Sequence, residues 1–427
     1  MKKYVEMNRE ELLNEENALA KAYSDYKELG LSLNMARGKP GAEQLDISMP
    51  MLDVLNSSSD CIDEGTDCRN YGILDGIPGV KRMFADILEV SPDEVFVGGN
   101  SSLNMMFDTI TTFMVKGIAG CKPWLNQDKI KFLCPVPGYD RHFGITEYYG
   151  IEMINIPTDE NGPDMDLVEK LVSEDESVKG IWCVPKYSNP TGITYSDDTV
   201  RRFATLKPKA KDFRIIWDNA YVIHDVTDTP DHLLSIMDEC KKNGNEDLPI
   251  IFASTSKITF PGAGVAVMAC SKNNMDVIKA RYTKQTIGYD KLNMLRHQRY
   301  LKDSKGLVDY MAKHKAVIAP KFECVLNALE NEVKATGCAS WTKPNGGYFI
   351  SVDVLEGTAK EVVKLCKEAG VVLTGAGATF PYGKDPKDSN IRIAPTYPSV
   401  DELKKAADIF CICVKLAGVR KLLASQN

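Results

Sequence analysis

Between residues 95 and 270 the chain alternates short apolar runs with polar stretches of helical period. Seven runs carry the pattern, at 95–99, 131–136, 152–157, 180–185, 214–219, 250–255 and 265–270. They are continuously apolar over four to six residues, which suits strands buried on both faces and predicts a mostly parallel sheet covered by helices, an α/β fold. Outside this region the pattern differs. Residues 8–29 read as an amphipathic helix ended by Gly30, and Leu33 to Gly41 (LNMARGKPG) as loop. Residues 305–334 predict a long helix with a kink at Pro320. After it come a loop and alternating strand (341–354), a helix (359–370), a short strand at 371–375, a strand at 390–395 and a closing helix from Val400. The expected division is a large domain over 50–304, a small α+β domain over 305–427, and an N-terminal segment, 1–49, that joins the small one. Residues 240–249 read as a polar surface loop.

The length of 427 residues exceeds what one core usually supports, in keeping with that division. Hydrophobic residues make up 44% and charged residues 26%, which excludes disorder and fibrous repeats. The net charge of −7 disfavours a nucleic-acid partner unless a basic face is built locally. No apolar run reaches the roughly 18 residues of a membrane span, and the N-terminus has no apolar stretch like that of a signal peptide. Twelve cysteines occur without a CxxC pair, which reads as small buried side chains in a reducing cytoplasm, with no metal site.

Five apolar runs end in polar or Gly/Pro loops, and in open α/β sheets ligands sit beyond the carboxyl ends of the strands. Lys257 follows one run; desolvation beside a buried strand lowers a lysine's pKa and frees its amine, although a lone lysine is more often a solvated surface residue. Asp218 ends another. A buried carboxylate needs a cation or several donors there, or else it caps a helix starting at Ala220. Tyr221 stands three residues on. Asn189-Pro190-Thr191-Gly192 is a plain turn or places an amide donor. Arg392, alone in an apolar strand, suits a bidentate carboxylate or an internal salt bridge. Gly98-Gly99-Asn100-Ser101-Ser102 lies between a strand and a helix, where free backbone amides bind anions; neither a Walker A loop nor a GxGxxG is present.

The order of these signals, with Tyr139 after Pro137-Gly138, resembles aminotransferases of pyridoxal phosphate (PLP) fold type I, class I/II, from Asn34 to about Ala394. The strings NMARGKPG, YGILDGIPG, GGNSSLN, PVPGYDRHF, SNPTG and SKITFPGAG are similar to the bacterial aspartate aminotransferase subgroup Ic. The resemblance implies a seven-stranded sheet in the large domain. It implies Lys257 as the residue that binds PLP covalently and moves the proton, Asp218 as partner of the ring nitrogen, and Tyr221 and Asn189 on the ring oxygen. Tyr139 would stack on the ring, or else be an ordinary loop tyrosine. Asn100, Ser101, Ser102 and Ser254 would hold the phosphate. Tyr71 would reach the neighbouring subunit's phosphate, implying a homodimer with shared sites. Arg392 would grip the α-carboxylate, and Gly38 would lie beside the substrate. Two departures stand out. No arginine lies about eight residues after Lys257, where the family commonly has one. The cation for a distal carboxylate is not marked by pattern; Arg37 is the candidate, with Lys284, Arg141 and Arg296 as rivals. The expected reaction is transamination of aspartate with 2-oxoglutarate. Another amino-acid preference (alanine, aromatic) or a PLP-dependent C–S lyase is the alternative. A non-catalytic regulator of the same fold is disfavoured by the roughly 30 residues before ARGKPG, too few for a winged helix.

Overall fold

The seven apolar runs are strands of one sheet in the computed structural model, which describes residues 2–426. They are β1 (Val95–Val97), β2 (Lys131–Val136), β3 (Glu152–Asp159), β4 (Val178–Cys183), β5 (Arg214–Asp218), β6 (Pro249–Ser254) and β7 (Ala266–Cys270). The order is β1-β7-β6-β5-β4-β2-β3; β7 is antiparallel to both neighbours and the other pairings are parallel. The two-residue strand Gly162–Pro163 adds an eighth, antiparallel member beside β3. The runs lack alternation because both faces are covered. Within β5, Ile215 and Trp217 join the core on one face while Ile216 joins the core on the other.

Among the helices are α1 (Arg9–Glu28), α2 (Ser102–Lys116), α3 (Asp140–Tyr148), α4 (Ser304–Glu332) and α5 (Val400–Ser425). Helix α1 begins with a reciprocal cap. The Asn8 side chain accepts from Glu11 N, and the Glu11 carboxylate accepts from Asn8 N. Its Leu12 and Leu19 enter the core formed with α5 and a three-stranded antiparallel sheet. That sheet orders β8 (Ala339–Trp341), β9 (Ile350–Val354) and β10 (Asn390–Ile393). Helix α4 runs unbroken through Pro320. Its Leu307, Tyr310 and Met311 pack in a sheet-side core, whereas Ile318, Phe322, Val325 and Leu329 pack in the core around β8–β10.

Three local expectations are corrected. Within LNMARGKPG, Leu33–Asn34 pairs in parallel with Val371–Val372, because backbone ladders need no side-chain pattern over two residues. The surface loop at 240–249 is shorter than expected, since the helix Ile236–Lys242 runs into it. The segment after Asp218 is a turn, not a helix, so Asp218 caps nothing. Nine of the twelve cysteines are buried and three half-buried, and all are free thiols. No described helix is long and apolar enough to cross a membrane, and no described cluster of His, Cys, Asp and Glu fits a metal.

Candidate active site

A cavity of about 530 Å³ opens where the carboxyl ends of β1, β2, β4, β5 and β6 face the β9–β10 side of the molecule. Each strand delivers one loop, as expected of an open α/β sheet. Lys257 lies three residues past β6 and lines the cavity. Desolvation pulls its pKa below the ordinary lysine range; nearby Asp218 opposes the shift and Arg392 adds to it. Its amine lies 4.9 Å from the centroid of the Tyr221 ring. Tyr221 is buried, and burial holds its hydroxyl protonated well above the ordinary range, so it is a donor.

Asp218, the last residue of β5, is buried. Its Oδ2 lies 3.0 Å from His142 Nε2. An ionised carboxylate has no hydrogen to give, so the imidazole donates. His142 in turn stacks on Trp182, with ring centroids 4.4 Å apart and planes 11° apart, and meets the edge of Tyr139 at 4.9 Å. The second carboxylate oxygen, Asp218 Oδ1, is buried and accepts no hydrogen bond from the protein. A buried acceptor left without a donor costs about 1–3 kcal/mol, and a ligand N–H at that point removes the cost.

Across the cavity, Arg392 on β10 is held from several sides. Its Nη1 donates to Asp140 Oδ1 at 3.0 Å and to Asn189 Oδ1 at 3.2 Å; Nη2 donates to Thr374 Oγ1 at 3.3 Å. The Phe349 ring lies 4.9 Å from the guanidinium carbon. With its oxygen engaged, Asn189 keeps its amide NH2 as donor for the cavity. Gly38 is required by close packing: a Cβ there would sit 2.3 Å from the Phe349 ring. At the opposite end, Ser101 caps α2, its hydroxyl accepting from Asn104 N. Ser254 donates to Ser256, which donates to the Asn100 carbonyl. Hydroxyls and the start of a 15-residue helix therefore share one end of the cavity.

The Aspartate amino-transferase family model matches residues 7–426. The chain belongs to this family. An aspartate aminotransferase of Corynebacterium glutamicum is 44% identical over 401 residues, 94% of this chain and 93% of that protein. The crystal structure of an aspartate transaminase from the same organism superposes with a TM-score of 0.96 at 42% identity, covering 98% of this chain and 99% of that one. An α-aminoadipate aminotransferase of Thermus thermophilus shares the fold at 19% identity, with a TM-score of 0.74 over 92% and 93% of the two chains. The protein is thus an aminotransferase of PLP fold type I, a family whose cofactor is pyridoxal phosphate.

In this aminotransferase, eleven residues expected from sequence line the cavity: Arg37, Gly38, Ser101, Ser102, Tyr139, Asn189, Asp218, Tyr221, Ser254, Lys257 and Arg392. Two do not. Asn100 is exposed outside it, its amide donating to the Gly262 carbonyl and its own carbonyl accepting from Ser256. Tyr71 is 82% exposed on the surface. Of the rival cations, Arg141 lines the cavity beside Arg37, whereas Lys284 and Arg296 do not. Where the family commonly carries the arginine after the lysine, Val265 is buried, its carbonyl accepting from Thr255 N and its N–H donating to Thr255 Oγ1. Sequence reasoning missed His142, Asp140, Phe349, Thr374 and Ser256. A usable signal existed for His142, which stands three residues after Tyr139, the residue that precedes the helix.

Proposed function

We propose that this aminotransferase binds PLP in the cavity and transfers an amino group from L-aspartate to 2-oxoglutarate, as a homodimer. The observation that carries the cofactor reading is Asp218 Oδ1, a buried acceptor without a donor, in the same cavity as a desolvated lysine. Its chemistry matches a protonated pyridine nitrogen. PLP supplies there an aldehyde that condenses with amines and a cationic ring that takes up the electron pair left when a Cα–H bond breaks.

Every other role falls to the chain itself. Asp218 holds the proton on the ring nitrogen and His142 holds Asp218, so the carboxylate keeps its orientation. Tyr221 and Asn189 donate to the ring hydroxyl oxygen and favour its ionised form. Tyr139 covers the ring face. Ser101, Ser102 and Ser254 bind the phosphate together with the α2 N-terminus, and Ser256 adds a hydroxyl in a site where this chain offers no arginine after the lysine. Asn100 ties that loop to Gly262 and Ser256. Lys257 Nζ takes the Cα proton and returns it one carbon away; a lowered pKa suits a base at neutral pH. Arg392 grips the α-carboxylate in a fork. Gly38 leaves room beside it. Arg37 reads the distal carboxylate of aspartate; Arg141 and Lys39 also line the cavity. In this reading residues 50–304 carry the cofactor end, and residues 1–49 with 305–427 carry the arginine end.

The dimer reading rests on Tyr71, which contributes nothing to its own cavity. It lies beside the segment of Ile287, itself 62% exposed, since Gly288 packs on the carbonyls of Gly72 and Ile73. Two large exposed side chains on adjoining loops suit a covered surface. The test is a set of half-reactions followed by the visible absorbance of the holoenzyme with single amino acids. Conversion by both aspartate and glutamate supports the proposal. Conversion by alanine or aromatic amino acids in preference to aspartate, or pyruvate release from cystathionine, refutes it.

A further inference from the structure

Arg392 already holds a carboxylate of its own chain. Asp140, the first residue of α3, places Oδ1 3.0 Å from Nη1, and both side chains line the cavity. The position of the guanidinium does not depend on this contact. Asn189, Thr374 and the Phe349 ring restrain it independently.

A count of donors shows what the contact costs a ligand. Guanidinium has five N–H groups. Asp140 and Asn189 take those of Nη1, and Thr374 takes one of Nη2. The Nε–H is buried beyond reach of solvent and without a partner. One N–H on Nη2 is left. A two-point grip on an incoming carboxylate through Nη1 and Nη2 therefore requires Asp140 or Asn189 to leave, and Asp140 is the one whose negative charge a carboxylate opposes. We propose that Asp140 is the resident counter-ion of Arg392, displaced by the substrate α-carboxylate on binding and returned on product release, so that it sets the affinity of this subsite.

This inference rests on the reading of Arg392 as the α-carboxylate site. Two negative charges cannot share one fork cheaply, so each bound carboxylate is weakened by the ion pair it breaks. Asp140 lowers affinity and speeds exchange at both the amino-acid and the oxo-acid stage. A merely structural Asp140 would do the reverse: its loss would loosen Arg392 and weaken every carboxylate.

The test uses the PLP-loaded dimer and two carboxylates that cannot be transaminated, propionate and succinate, with calorimetric titration as the readout. In Asp140→Asn both should bind roughly three- to tenfold more tightly than in the wild type, by a similar factor, because both occupy the α-carboxylate subsite. The KM values for amino and oxo acids should fall with them. Asp140→Glu, which keeps the charge, should show no such gain; its melting temperature and that of Asp140→Asn establish that the helix start survives. Unchanged or weaker binding in Asp140→Asn overturns the inference, as does a gain confined to succinate, which would place Asp140 at the distal end. Arg392→Leu separates this failure from that of the underlying reading. If Arg392→Leu weakens both ligands and Asp140→Asn tightens neither, only the counter-ion role fails. If Arg392→Leu leaves both unchanged, the assignment of Arg392 fails and the counter-ion role with it.

Discussion

In the proposed reaction Lys257 and Asp218 would act through a desolvated amine and a buried carboxylate oxygen without a donor. Replacing Lys257 by alanine removes the amine but no core packing, so transamination should fall by roughly 10⁴-fold or more while the melting temperature holds. Retained turnover would exclude it as the proton carrier. Asp218→Asn should keep the protein folded yet lose several orders of magnitude in rate, because an amide cannot hold the ring proton. His142 acts one step back. His142→Ala should leave Asp218 Oδ2 without its donor, cost about 1–3 kcal/mol of stability and reduce kcat about 10- to 100-fold. Chemical denaturation and steady-state rates check the two effects separately. Asp218 and Lys257 were visible in the sequence because each ends an apolar run. Asp218's partner was not, since 76 residues separate it from His142. The same holds for Arg392 and Asp140, 252 residues apart: a lone arginine in a strand announces a carboxylate without saying which one.

At the scale of elements, the strands were the most legible part. Burial on both faces leaves continuous apolar runs that need no alignment to detect, and all seven proved to be strands. Short pairings such as Leu33–Asn34 with Val371–Val372 have no side-chain signature and were read as loop. The loop carrying Gly38 shows how one element constrains another. Gly38→Ala drives a methyl into the Phe349 ring, and that ring rests against Arg392. The expected result is a raised KM for amino and oxo acids, larger than any change in kcat. Steady-state kinetics with both substrates checks it, and equal losses in kcat and kcat/KM would contradict it.

For the whole molecule, pH and assembly are the accessible handles. His297 and His314 are buried, and desolvation pulls both from 6.5 to about 4. Between those values the unfolded chain binds protons that the folded protein refuses. Stability is therefore full above about pH 6.5 and falls as the pH drops toward 4, at up to about 1.4 kcal/mol per pH unit for each residue. Denaturant midpoints near pH 7 and about pH 5 should show the loss, and a His297→Gln, His314→Gln double variant should lessen it, buried His224 keeping the remainder. Assembly is testable by complementation. Tyr71→Ala and Lys257→Ala subunits, each inactive or nearly so alone, should regain roughly a quarter of wild-type activity when mixed, because half the dimers carry one intact site. No recovery would mean that sites are not shared.

The strands of Asp218 and Arg392, the proposed ring-nitrogen anchor and carboxylate fork, pack in different cores, and α4 is rooted in both. A ligand filling the cavity touches both sides, with Arg37, Thr374 and Arg392 on one and Tyr139, Asn189 and Lys257 on the other, and so acts as a clasp across that seam. Melting of either half sets it free, so saturating ligand should fuse two calorimetric transitions into a single later one. The ligand then insures the halves jointly, and damage in the half remote from the chemistry is felt first as a weaker hold on substrate.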